Sequence, residues 1–131
     1  MALTQNFPLT INYLAAATAT VVTAQAGYIV APFRGKILQA GTVLGSATTT
    51  ADSTVTVSIG ATAVTGGAFV ITQSGSAAGD HDYAATGDSG ANAVITGANI
   101  ANKNDLIKFA LTGTGTGGGP LSCYVVFQKL A

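Results

Sequence analysis

Polar and apolar residues alternate with a period of two along much of this chain, most cleanly over Ser53–Ile59. Val55, Val57 and Ile59 fall on one side of an extended backbone and Thr54, Thr56 and Ser58 on the other. That is the pattern of a strand with one face in a core and one in water. No window carries an apolar stripe at the 3.6-residue spacing of an amphipathic helix. Further strands are expected at residues 18–25, 36–44, 91–95, 106–111 and 121–130, where β-branched and aromatic residues gather between Gly, Asn and Asp, and residues 28–33 are a short apolar stretch at which Pro32, Arg34 and Gly35 suggest an edge or turn. Ile37, Val43 and Leu44 are the expected core positions of the 36–44 strand. Two runs of strand-formers, 62–65 and 68–72, flank Gly66 and Gly67 and predict a tight hairpin there.

The connections are as telling as the strands. Residues 48–52 read as a polar link, 99–104 as a turn, and 112–119 as a flexible glycine loop. Residues 74–90 form the longest expected loop, and loops of that length carry binding function or are mobile. Short strands at close spacing make this an all-β protein, an antiparallel β-sandwich that is jelly-roll-like, in one domain over residues 16–131. Residues 1–15 precede it as an extended N-terminal arm, since Asn6 and Phe7 before Pro8 disfavour helix. Phe7, Leu9, Ile11 and Tyr13 alternate with Pro8, Thr10, Asn12 and Leu14, giving the arm one apolar edge for a partner. The same alternation fits a first strand of the domain's own sheet.

Composition narrows the function. Charged residues are 8% of the 131, against about 25% in an average soluble domain. All five acids are Asp, and they balance five Lys and Arg. A net charge of zero gives no field to attract nucleic acid or an anionic membrane. With 48% hydrophobic residues the chain is not of the disordered class. A free monomer so poor in charge is weakly protected against association, which favours a surface occupied by partners.

Candidate chemistry is sparse. Asp80, His81 and Asp82 are the one tempting trio for a divalent cation. Adjacent residues of an extended chain point apart, so the expected role is a solvated or interface cluster, and no metal or other cofactor is expected. The single His must serve any triad, and no Ser lies in a nucleophile elbow, so an enzyme is not expected. Cys123, the only cysteine, sits in an apolar run and is expected to be buried and inert. The glycine loop lacks the Gly-Lys-Ser/Thr of a phosphate loop. Ala24, Gln25 and Ala26 resemble a signal-cleavage site, but no basic residue precedes them. Tyr83, in the polar loop, is the aromatic expected to face a partner, together with His81.

Residues 48–67, TTTADSTVTVSIGATAVTGG, and 72–80, TQSGSAAGD, resemble segments of the small head-decoration (cement) proteins of tailed bacteriophages. The looser similarity runs from about Tyr28 to the C-terminus and leaves the arm uncovered. Asn104 and Asp105 stand where that family has a Gly-Asp turn. The resemblance implies a jelly-roll-like sandwich on the outer capsid surface, a homotrimer clamping neighbouring copies of the major capsid protein. It implies assembly in the host cytoplasm, which suits a lone thiol. Two other readings stay open: a tail-fibre or surface domain that binds a receptor or carbohydrate, and a secreted bacterial surface subunit.

Overall fold

The computed structural model describes residues 10–18 and 25–130, with side chains from residue 25 onward. The described residues form strands and turns, with no helix. One sheet runs in the order β1 (Thr10–Thr18), β12 (Leu121–Lys129), β3 (Gly35–Val43), β7 (His81–Ala85), β8 (Ala93–Val94), with β9 (Ile100–Ala101) also on β3. The second runs β2 (Ala26–Val30), β10 (Leu106–Gly113), β5 (Ser53–Ile59), β6 (Thr62–Ile71). All pairs are antiparallel except β7 with β8. The all-β sandwich expected from the alternation is the observed architecture.

Between the sheets lies one core. Ile29, Val55, Val57, Phe69, Ile71, Ile107, Phe109 and Leu111 of one sheet join Ile37, Ala40, Leu121, Cys123, Val125 and Phe127 of the other. Burying each larger side chain contributes roughly 1.5–3 kcal/mol. The edges are managed too. β1 runs beside β2, and β6 is tied to the segment after β8 by Thr65 N donating to Gly97 O at 3.0 Å and Thr96 N donating to Thr65 O at 2.9 Å. Such seams leave less open backbone for foreign strands.

Several expectations are corrected. Gly66 and Gly67 make no hairpin: β6 continues through them, with a register shift against β5 between Thr56 and Ser58. The hairpin is two residues long, at Gly60 and Ala61, where Ile59 pairs with Thr62 and Gly60 has φ +59°. Gly66, at φ +77°, supplies the positive φ of a bulge instead. The loop 74–90 contains β7, which the sequence hides because His81–Ala85 has no β-branched residue and is extended by pairing with β3. The glycine loop contributes β11 (Thr116–Gly117), paired with β4 (Thr48–Thr49) inside the expected polar link.

Val43 is half-exposed and not core, whereas Ile37 and Leu44 are buried. A register shift explains it. Ile37 pairs with Phe127 but Gln39 pairs with Val126, leaving Leu38 as the extra residue of a bulge. The inward parity therefore changes from Ile37 to Ala40, Thr42 and Leu44, and Gln39, Gly41 and Val43 turn outward. Of the arm, residues 10–15 belong to β1 and pair with β12, the first-strand alternative. Residues 1–9 and most of the expected strand 18–25 lie outside the described residues.

Candidate interaction surface

The outward parity that the bulge imposes on β3 creates a polar-aromatic cluster. Gly41 stands between Tyr124 of β12 and Tyr83 of β7, and Val43 between Ser122 and His81. His81 and Tyr83 lie two residues apart on one strand and so share a face. Their rings stack at 4.6 Å between centroids and 14° between planes. Tyr124 lies beside them, its ring 5.3 Å from His81. Gly41 makes room for it: a Cβ there would come 2.7 Å from Tyr124 Cε1 and the phenol oxygen.

Hydrogen bonds fix the group. Gln39 Nε2 donates to the Tyr124 hydroxyl at 2.5 Å, and that hydroxyl is also bonded to His81 Nε2. Tyr83 donates through its hydroxyl to Asp88 Oδ2 at 2.8 Å, and Asn92 Oδ1 accepts from Tyr83 N at 2.9 Å. Gly90 N donates to the other Asp88 oxygen at 2.8 Å. Those bonds hold the Asp88 carboxyl below the usual range, Gly90 contributing most and Tyr83 next. The acceptor carboxylate raises the Tyr83 phenol, and burial raises that of Tyr124. His81 remains exposed at its rim.

Asp80, His81 and Asp82 do not converge. Asp80 turns back on its own loop, accepting from Ala77 N at 2.9 Å. Asp82 pairs with Thr42 on the other face of the sheet from His81 and Tyr83. Burial pushes its carboxyl above the ordinary range, Asp80 adding to the effect and His81 opposing it. No group of three metal-ligating side chains occurs among the described residues. Cys123 is fully buried, and burial pushes its thiol up to about 12.

The second surface is the open side of β2-β10-β5-β6. In register across it run Val30 and Leu106; Tyr28, Lys108 and Ser58; Ala26, Ala110, Thr56 and Ala68; and Thr112, Thr54 and Val70. Tyr28 is 52% exposed, Val30 54%, Leu106 46% and Val70 41%. Lys108 is the one charge in these rows. Three exposed large apolar side chains on two adjacent strands, ringed by small neutral residues, are the composition of an interface core more than of a solvated face.

Of the residues expected to meet a partner, His81 and Tyr83 are brought together. Ile11 and Tyr13 lie in β1, where the backbone alone is described, and Phe7 and Leu9 lie outside the described residues. The sequence reading missed Gln39, Tyr124, Asp88 and the Tyr28, Val30 and Leu106 patch. Tyr124 carried a signal, its parity being opposite to that of Cys123, Val125 and Phe127. No helix among the described residues is long and apolar enough to cross a membrane. Comparisons of the chain with protein-family models, with curated proteins and with solved structures each found no match.

Proposed function

We propose that this chain is a decoration protein of a phage head: a homotrimer that binds the outer surface of the major capsid lattice and stabilises it, and that catalyses nothing. The observation that carries the reading is the nearly uncharged outer face of β2-β10-β5-β6. Covering such a face brings apolar area out of water with few charges to desolvate. The resemblance at residues 48–67, which supply β4, β5 and the start of β6, supports a capsid as the covering surface, and the jelly-roll-like topology belongs to the same proposal. A protein that engages the assembled lattice alone stabilises it by mass action, and three linked copies multiply weak single contacts.

Heads stripped of the chain are the test. Re-addition of the intact chain restores their heat resistance. A Tyr28→Asp/Leu106→Asp variant, shown to be folded by circular dichroism, does not bind. Deleting residues 2–9, which leaves β1 intact, asks the same of Phe7 and Leu9. Equal occupancy by the face variant overturns the role given to that face.

A second reading, a receptor- or carbohydrate-binding domain, has one observation in its favour. The His81 and Tyr83 rings, with Asp88 and Asn92 around them, make a small stacking platform with polar neighbours. Binding on a glycan array that is lost in a Tyr83→Ala variant would favour it over decoration.

A further inference from the structure

The ten charged side chains are few but sorted. The pairings fix which end of the sandwich each occupies. Gly35 pairs with Lys129 and with Ala101, and Lys36 follows it, so Arg34, Lys36 and Lys129 meet at one end. Lys103 joins them in the turn that Asn104 N anchors to Ala31 O at 2.8 Å. At the other end of β3, Leu44 N donates to Asp80 O, and Asp82 pairs with Thr42. Asp52 is at this end as well, just before Ser53, with its carboxylate accepting from Gln73 N at 2.7 Å. One end thus holds four bases with the single acid Asp105, and the other holds three acids and no Lys or Arg. Asp88 and Lys108 lie between. Nine residues of β3 separate the ends, roughly 30 Å at about 3.3 Å per residue.

We propose that copies of this chain associate head to tail, the basic end of one on the acidic end of the next. An isologous contact at either end would set like charges against each other. A heterologous contact matches them, and heterologous contacts are what close a ring of three. The basic end also carries the means to hold: Ile100 on β9, 49% exposed. Ile100 also lines a shallow cavity with Ile59, Thr62, Ala98, Asn99 and Asp105. Charge steers and orients the encounter, and the apolar residues supply area, since exposed pairs alone contribute little. Closure at three rests on the trimeric decoration reading. Head-to-tail association does not.

The test is sedimentation of the purified full chain at about 20 mM and about 0.5 M salt, where screening lengths differ severalfold. Association at low salt that weakens at least about tenfold at high salt is expected. Lys103→Glu/Lys129→Glu, which makes both ends acidic, abolishes self-association. So does Asp52→Lys/Asp80→Lys, which makes both ends basic. An equimolar mixture of the two variants associates again, with the two alternating along each complex. A monomer at low salt, or association untouched by both reversals, overturns the proposal. A parent chain that stays monomeric at low salt yet decorates heads overturns this inference and leaves capsid binding standing. Head-to-tail association without head binding does the reverse.

Discussion

The ring of Tyr124 lies across Gly41, close enough that a Cβ at position 41 would sit 2.7 Å from its Cε1. This contact places the Tyr124 hydroxyl between Gln39 and His81, residues 85 and 43 positions away in the chain. A Gly41→Ala substitution displaces the ring and is expected to cost about 1–3 kcal/mol, as overpacking does. Urea unfolding measures it. Tyr124→Phe keeps the ring and removes the hydroxyl, at about 1 kcal/mol. In a double-mutant cycle with His81→Ala, the two changes couple, because they share one hydrogen bond.

Two glycines separate the observed hairpin from the expected one. Gly60 has φ +59° with open space around it, so Gly60→Ala carries only the left-handed backbone penalty of about 1–2 kcal/mol. At Gly66, φ is +77° and a Cβ would overlap the Val94 carbonyl oxygen. Gly66→Ala combines backbone strain with a backbone clash and is expected to cost more than about 3 kcal/mol. Thermal unfolding of the two variants ranks them. A hairpin at Gly66 and Gly67 would remove the difference.

These positions show what the sequence carried and what it did not. Ser53–Ile59 was legible because its alternation is local, and Val55 and Val57 are fully buried as that alternation requires. The bulge at Leu38 was not legible. It arises from pairing with β12, about 90 residues away, and it alone decides that Val43 faces out and Thr42 in. β7 was hidden for a related reason: Tyr83 is the one strand-former in His81–Ala85, and pairing with β3 extends the rest. The candidate site inherits that blindness. His81 and Tyr83 stood out as rare residue types, but their partners Gln39 and Tyr124 come from strands whose register only the fold supplies.

Cys123 is expected to be inert in the native state. Its thiol is held up at about 12 by burial and its side chain is fully enclosed, so thiolate is scarce and access absent. A colorimetric thiol reagent at pH 8 should label it only as fast as the protein opens, and at once in about 6 M guanidinium. Rapid labelling of the folded chain would contradict the inward parity of β12.

Two carboxylates should respond to pH in opposite senses. The Asp82 carboxyl is raised in the folded state, first by burial. Its contribution is complete below its unfolded pKa and is lost as pH rises through the folded one, so ionised Asp82 opposes folding at neutral pH. Asp82→Asn should raise Tm at pH 7 and give no gain near pH 3. Asp88 is lowered, chiefly by Gly90 N–H and then by Tyr83. Its contribution is present above the unfolded pKa and is lost as pH falls through the folded one. Asp88→Asn should lower Tm at pH 7 and converge with the parent at about pH 2. Calorimetry across that range checks both.

The proposed role is decoration of a capsid lattice through the nearly uncharged face of β2-β10-β5-β6, where Lys108 is the one charge. The most direct measurement is the copy number of this chain in purified particles assembled by the genome that encodes it, by quantitative mass spectrometry against the major capsid protein. The decoration reading predicts a number on the order of hundreds, in a fixed ratio to the symmetric lattice. A handful of copies, or none, would contradict it.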